Sequence, residues 1–164
     1  MRVVVMGVTG SGKSVVGREL AAQGGWPFLD GDDFHSPQAR QKMARGEGLT
    51  DEGRQPWLAR LRAELEARAD VVLACSALRR GYRDTLRVGQ VAFVFLNVPQ
   101  ALLRERLAAR SGHYAGPELL PSQLATLEPP GADEPDVVTL EVRPAETPAD
   151  LAQRALHALG VAHA

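Results

Sequence analysis

The feature that most restricts the fold of this chain is a glycine-rich segment near its start, directly after the apolar run from Val3 to Met6. The segment matches the pattern GxxxxGK[ST] in full, and it lies between a buried strand and a helix, as that pattern requires. Its glycines let the backbone curve so that successive N–H groups point inward at phosphate oxygens, and the following helix adds its positive N-terminal dipole. We therefore predict a phosphate-binding loop formed by Gly7, Val8, Thr9, Gly10, Ser11, Gly12, Lys13 and Ser14.

Two side chains at the end of this loop indicate the kind of phosphate compound. We expect Lys13 to reach the β and γ phosphates of a nucleoside triphosphate, and Ser14 to place its hydroxyl on the Mg²⁺ that bridges them. A glycine-rich turn without function would not explain the lysine. The sequence has no guanine-specifying NKxD segment and no DxxG segment in a suitable place, which disfavours a GTPase switch.

Four further apolar runs alternate with segments of helical spacing, and they extend over residues 27–29, 71–75, 91–98 and 137–142. Leucines spaced by three and four predict helices over 56–68 and 99–110. A capping box from Thr147 to Asp150 predicts the start of the last helix, and Gly160 predicts its end. The pattern predicts an α/β fold of the P-loop NTPase type, with a five-stranded parallel sheet flanked by helices and ligands at the carboxyl ends of the strands.

Length and charge limit the other possibilities. The 164 residues predict a single domain over 1–164, and the net charge of −1 provides no field that would attract nucleic acid or anionic lipid. The sequence contains no run of eighteen apolar residues, so it predicts no membrane-spanning helix. The single Cys75 cannot close an intramolecular disulfide, so we expect a cytoplasmic protein. From the charge and the lack of a long apolar run, we expect it to bind neither nucleic acid nor membrane.

Two carboxylates follow the second predicted strand. Asp30 and Asp32 are separated by Gly31, and a spacing of two in extended chain directs both side chains the same way. We predict that Asp30, with Ser14, serves Mg²⁺ or its waters, and that Asp32 orients or deprotonates an acceptor hydroxyl. A solvated acidic turn is the alternative interpretation.

Several longer segments extend this picture and resemble one family over the whole chain. They are LDGDDFH at 29–35, DEGRQPWL at 51–58, CSALRRGYRDTLR at 75–87, RSGHY at 110–114 and LEPPGADE at 127–134. Together they resemble the gluconokinases of the small P-loop type. The resemblance implies ATP-dependent phosphorylation of D-gluconate at its 6-hydroxyl, a fold similar to shikimate and nucleoside monophosphate kinases, a mobile lid, and a possible homodimer.

The acceptor that this resemblance implies needs cations for its carboxylate and polar groups for its hydroxyls. In the acceptor-binding segment, about 30–58, the suitable side chains are His35, Lys42 and Arg54. Each has a plainer interpretation: His35 precedes a helix cap and could simply pack there, while Lys42 and Arg54 could be solvated surface residues. Trp57 is more typical of a core anchor than of a platform for a sugar.

Further candidates lie on later helices. The helix after Cys75 contains Arg79, Arg80 and Arg83; spacing does not decide which faces the site, and we include Arg83 among the substrate-binding candidates.

The segment of about 106–123 matches the lid of this fold, where Arg106 and Arg110 are candidates to bind ATP and His113 to bind the substrate. Arg110 is the preferred catalytic arginine, beside Lys13 and Asp32. Adenine is expected between the base of the lid and the loop after the fifth strand, residues 143–146.

Two other functions remain compatible with the sequence. The chain has Ala39, Gly48 and Gly53 where the family usually has Asn, Pro and an acid. A kinase of another small acid or polyol, such as shikimate, is therefore one alternative. A nucleotide-sensing module without catalysis is the other, although it would need neither the acids after the second strand nor an arginine-bearing lid.

Overall fold

The computed structural model describes residues 1–109 and 119–161. Five parallel strands form one sheet of order β2-β3-β1-β4-β5, which confirms the predicted sheet. The strands are β1 (Arg2–Met6), β2 (Phe28–Asp30), β3 (Val71–Ala74), β4 (Val91–Asn97) and β5 (Val137–Glu141).

Seven α-helices of the described chain surround the sheet. They are α1 (Lys13–Gly24), α2 (Pro37–Ala44), α3 (Asp51–Glu66), α4 (Arg80–Leu86), α5 (Gln100–Ala109), α6 (Leu120–Thr126) and α7 (Pro148–Ala158). The capping box of α7 is present as predicted, with Thr147 and Asp150 each accepting from the backbone N–H of the other. None of the described helices is long and apolar enough to cross a membrane.

The central position of β1 in the sheet explains why its residues from Val3 to Met6 are all apolar. Val4 pairs with Leu73 of β3 on one side and Phe93 of β4 on the other, and all three are fully buried. A strand covered on both faces has no position that favours a polar side chain. Because all five strands are parallel, the loop after β1 and the acids at the end of β2 lie at the same edge of the sheet.

The third helix begins five residues earlier than predicted, at Asp51 rather than Pro56. The side chain of Thr50 accepts a hydrogen bond of 3.0 Å from the N–H of Gly53, which supplies an N-cap upstream of the proline. Asp51 and Glu52 then place negative charge in the first turn, where the helix dipole favours it. The prediction treated Pro56 as the helix start, whereas the proline lies inside the helix.

Candidate active site

A cavity of about 330 Å³ lies at the edge of the sheet where the strands end. It brings together most of the predicted site residues: the phosphate loop after β1, the acids after β2, and part of the acceptor segment. The predicted residues that line it are Thr9, Gly10, Gly12, Lys13, Ser14, Asp30, Asp32, His35 and Arg54. Residues from three separate segments of the sequence therefore line one cavity.

At Gly7 the phosphate loop is packed too closely for a larger residue. A Cβ at Gly7 would lie 2.6 Å from Ser11 Oγ and 3.3 Å from the Leu96 carbonyl oxygen. The Ser11 N–H donates to the Val8 carbonyl at 3.1 Å, which closes the turn. Arg106 of α5 lies against the same loop and donates from Nη1 to the carbonyls of Gly10, at 3.2 Å, and Ser11, at 3.3 Å.

Ser14 and Asp30 form the part of the cavity that fits a hard cation. Ser14 Oγ donates to Asp30 Oδ2 at 3.0 Å, so the hydroxyl and the carboxylate predicted for Mg²⁺ are adjacent. No group of three or more His, Cys, Asp or Glu side chains suited to a metal occurs in the described residues. Mg²⁺ commonly binds through one or two carboxylates, waters and substrate phosphates, so the donor set is suitable for that ion.

The two acids after the loop differ in their surroundings. Asp30 ends β2, and its Oδ1 accepts from the Asp32 N–H at 3.0 Å. Asp32 lies in a 3-10 turn over Gly31–Phe34 rather than in extended chain, so the strand geometry assumed from the sequence was wrong. Both acids nevertheless line the cavity, because the side chain of Asp30 caps the turn that contains Asp32. The Asp32 side chain is 42% exposed, open to a ligand.

His35 is held as a neutral ring at the wall of the cavity. It stacks on Trp57 with ring centroids 4.3 Å apart and an interplanar angle of 12°. Burial lowers the pKa of His35 to about 4, although the Asp32 carboxylate opposes that shift; their Nε2 and Oδ1 atoms are 3.9 Å apart. Its buried Nδ1 has no hydrogen-bond partner within the part of the chain that the structure describes.

Trp57, on which His35 stacks, is itself held by a hydrogen bond to the turn after β2. Its Nε1 donates to the Gly31 carbonyl at 2.7 Å, and its side chain is buried in the core as the sequence favoured. Trp57 also lines the cavity, so the same residue is both core anchor and wall of the site.

Arg54 is buried in the wall of the cavity. Its Nη1 donates to the Leu49 carbonyl at 2.7 Å and to Tyr82 Oη at 2.9 Å, while its Cζ lies 5.0 Å from the centroid of the Tyr82 ring. Tyr82 Oη in turn donates to Asp51. Among the described residues, Nε and Nη2 of Arg54 donate no hydrogen bond. The arginine thus presents its forked edge as a bidentate donor.

Two predicted substrate ligands do not lie at the cavity. Arg83 is fully buried, and its guanidinium is bound by Glu134 at 2.7 Å and 2.8 Å and by the carbonyls of Ala77 and Glu128. Its donors hold the chain after α6 against α4, so the prediction that Arg83 binds substrate is corrected. Lys42 is exposed on α2 and does not line the cavity, so that prediction is corrected as well.

The other two arginines of the α4 segment are paired with acids outside the cavity. Arg79 Nη1 lies 3.3 Å from Asp51 Oδ2, and Arg80 pairs with Asp133. Arg110 and His113 lie outside the described residues.

The sequence interpretation missed two residues. Tyr82 lies within the segment CSALRRGYRDTLR at 75–87, but nothing in the sequence shows that its hydroxyl contacts Arg54. Gln123 lines the cavity from α6 at the end of the predicted lid, and its position there was the only available signal.

The fold and cavity together define a small P-loop kinase: a phosphate loop lies ahead of α1, and the side chains of Ser14, Asp30, Asp32 and Arg54 line the same cavity as that loop. A family model described as an AAA domain matches residues 3–130. The gluconokinase of Gluconobacter oxydans (strain 621H) is 48% identical over 138 residues, covering 80% of this chain and 78% of that protein. The chain belongs to the gluconokinase family.

Solved structures agree with this assignment. A sugar kinase from Janibacter sp. HTCC2649 is 42% identical with a TM-score of 0.90, covering 98% of this chain and 95% of that one. A gluconokinase from Sinorhizobium meliloti 1021 is 45% identical with a TM-score of 0.86, covering 97% and 91%. A shikimate kinase from Aquifex aeolicus vf5, 19% identical with a TM-score of 0.63 over 98% and 96%, shares the fold.

Proposed function

We propose that this protein transfers the γ-phosphoryl group of ATP to the 6-hydroxyl of D-gluconate, giving 6-phospho-D-gluconate and ADP. The observation that supports this most is that one cavity is lined by the phosphate loop, by Asp32 and by Arg54. A phosphoryl transfer needs little covalent chemistry from the protein beyond positioning and charge stabilisation. A single cavity with both sets of groups supplies that positioning.

The donor half of the site is assigned to the phosphate loop. Backbone N–H groups from Gly10 to Ser14 hold the phosphates, and Lys13 neutralises charge on the β and γ groups. Ser14 and Asp30 would hold Mg²⁺, which when bound supplies positive charge to the β and γ oxygens. The 3.0 Å contact between these two side chains supports that assignment.

Asp32 is proposed as the base. The acceptor oxygen attacks the γ-phosphorus, the bond to the bridging oxygen of ADP breaks, and the hydroxyl proton passes to the Asp32 carboxylate. A partly exposed carboxylate in the cavity suits this role because an acceptor hydroxyl that enters the cavity can reach it.

Arg54 is proposed to bind the carboxylate of the acceptor, and His35 one of its hydroxyls. The forked edge of Arg54 matches a carboxylate in a bidentate geometry, a demand that a simple polyol would not make. A neutral His35 is suited to a hydroxyl because a neutral imidazole both donates and accepts. This pair favours a hydroxy acid over an uncharged sugar.

The remaining assignments stay predictions. Arg106, which already contacts the phosphate loop, and Arg110 are proposed to neutralise charge during transfer, with His113 close to the substrate. Adenine is placed near residues 143–146. A single domain over 1–164 with an acceptor segment over about 30–58 and a lid over about 106–123, a cytoplasmic location and a homodimer complete the proposal.

The test is ADP release from MgATP across D-gluconate, other sugar acids, shikimate and nucleoside monophosphates. We expect D-gluconate to give the highest kcat/KM, and Asp32→Asn to remove the stimulated release while ATP still binds. A higher kcat/KM for another acid or polyol would replace the substrate assignment. ATP binding without acceptor-stimulated release by any compound would favour the nucleotide-sensing module.

A further inference from the structure

The short helix α6 contacts the phosphate loop through one side chain. Gln123 Oε1 accepts a hydrogen bond of 2.6 Å from the N–H of Thr9, which is 114 positions away in sequence. A backbone N–H needs an oxygen acceptor, so this contact fixes which end of the amide faces the loop. Gln123 lines the cavity that also contains Lys13 and Asp32.

The preceding residue of the same helix contacts the acceptor segment. A Cβ at Gly48 would overlap Ser122 Oγ, so the serine side chain occupies the space beside this glycine. Gly48 and its neighbour Leu49 both line the cavity, and the Leu49 carbonyl accepts from Arg54 at 2.7 Å. A displacement of this loop would therefore move the Leu49 carbonyl that holds Arg54, the arginine proposed to bind the acceptor.

The start of α6 is fixed in the protein interior. Leu119 and Leu120 are 1% and 3% exposed, so the helix is anchored by two buried side chains just before Ser122. A helix that is anchored in the core and contacts two loops restricts the movement of one loop relative to the other. Two consecutive residues, Ser122 and Gln123, thus join the two halves of the cavity; we call them the α6 bridge.

We propose that the α6 bridge is a positioning device for phosphoryl transfer, in which Gln123 holds the phosphate loop at Thr9 and Ser122 holds the acceptor loop at Gly48. Occupation of one half of the cavity is transmitted to the other through this pair. The inference rests on the proposed function, because it requires two substrates in one cavity. Gln123 acts through Thr9 and is a positioning residue.

The first experiment measures coupling between the two halves of the cavity. The Kd of a non-hydrolysable ATP analogue with Mg²⁺ is determined by calorimetry, with and without saturating D-gluconate. We expect the acid to tighten analogue binding about fivefold in the unaltered protein, within the usual range of coupling between sites. Gln123→Met, which keeps the length of the side chain but not its acceptor, should reduce that ratio to about one.

The same variant should separate kcat from KM. Gln123→Met is expected to lower kcat by about tenfold while each KM changes less than about threefold, because the contact aligns groups rather than binding them. Absence of coupling in the unaltered protein, or unchanged coupling or kcat in Gln123→Met, would overturn the proposal.

A second pair of variants tests the other half of the bridge and does not depend on Gln123→Met folding. Gly48→Ala should raise the KM for the acceptor because its methyl group meets Ser122 Oγ. Adding Ser122→Ala should restore that KM, since the Cβ of residue 122 would lie at an ordinary 3.5 Å. An unchanged KM in Gly48→Ala, or failure of Ser122→Ala to restore it, contradicts the bridge.

These outcomes are separable from failure of the proposed function. If D-gluconate is inactive while another acid stimulates ADP release, the substrate assignment fails. The bridge is then tested by the same measurements with the active acid.

Discussion

The guanidinium of Arg54 lies over the ring of Tyr82 and also donates to its hydroxyl at 2.9 Å. Tyr82 Oη in turn donates a hydrogen bond to Asp51, so the side chains of the arginine, the tyrosine and the aspartate are linked by consecutive hydrogen bonds. Burial of the phenol, and then its hydrogen bond to Asp51, raise the pKa of Tyr82, which keeps it a neutral donor. These hydrogen bonds determine where the proposed acceptor arginine points.

Tyr82→Phe tests that orientation. The variant keeps the ring under Arg54 but removes the hydroxyl, a loss of about 1 kcal/mol. We expect the KM for the acceptor to rise about fivefold while the KM for ATP is unchanged, measured by steady-state ADP release. An equal rise of both KM values would contradict a role confined to the acceptor half.

The pKa of His35 predicts how stability depends on pH. Burial lowers this pKa to about 4 in the folded chain, below the value of 6.5 that an unperturbed histidine has, so the unfolded chain binds more protons between these values. Stability is therefore full above pH 6.5 and falls as the pH falls toward 4. Between about pH 7.5 and pH 5 the contribution of His35 amounts to about 2 kcal/mol.

The check is urea unfolding of the unaltered protein and of His35→Gln at both pH values. Other titrating groups are common to the two proteins, so they cancel in the comparison. The unaltered chain should lose about 2 kcal/mol more than the variant on acidification. Equal losses would show that His35 is not buried in its neutral form.

The buried pair of Arg83 and Glu134 predicts a loss of stability without a kinetic effect. Hydrogen bonds from Arg83, and then from Arg87, lower the pKa of Glu134 to about 2, so its carboxylate stays charged. Glu134→Gln leaves the buried Arg83 charge without its full partner and should cost about 3–5 kcal/mol in urea unfolding.

The neighbouring Asp133→Asn is the matched control. Asp133 pairs with Arg80 at the surface, where ion pairs contribute about 1 kcal/mol or less. KM values of both variants should match those of the unaltered protein at a temperature where they are folded. A raised acceptor KM with unchanged stability in Glu134→Gln would restore Arg83 to the substrate site.

Two lysines give a direct comparison between a cavity residue and a surface residue. Lys13→Ala removes the charge proposed to act on the phosphates, and kcat should fall by about a thousandfold with far-ultraviolet circular dichroism unchanged. Lys42→Ala should retain kcat and both KM values, because that side chain is exposed away from the cavity. A marked loss in Lys42→Ala would contradict its placement.

Much of the fold could be predicted because local patterns and the final structure agree. Val3 to Met6 is predicted as a strand buried on both faces because every position is apolar, and Thr147 with Asp150 forms the predicted capping box. The start of α3 was misplaced because Thr50 offers an N-cap ahead of the proline. Proline was the stronger local signal, but the upstream cap determines where the helix begins.

The site was less predictable where it depends on contacts between distant segments. Lys13, Ser14 and Asp30 follow from a motif and a strand end. Whether Arg83 faces a ligand depends on Glu134, 51 positions away, and spacing along one helix does not include that partner. Gln123 meets Thr9 only through the packing of α6, for which the sequence offers no local pattern.

Phosphoryl transfer to the acceptor is tested most sharply by following the oxygen atom that attacks phosphorus. D-Gluconate labelled with ¹⁸O at its 6-hydroxyl is incubated with MgATP, and the sugar phosphate formed is examined by ³¹P nuclear magnetic resonance. We predict one phosphomonoester whose phosphorus signal is shifted upfield by a directly bonded ¹⁸O. A phosphomonoester without that shift, or inorganic phosphate as the only new product, would contradict transfer to the 6-hydroxyl.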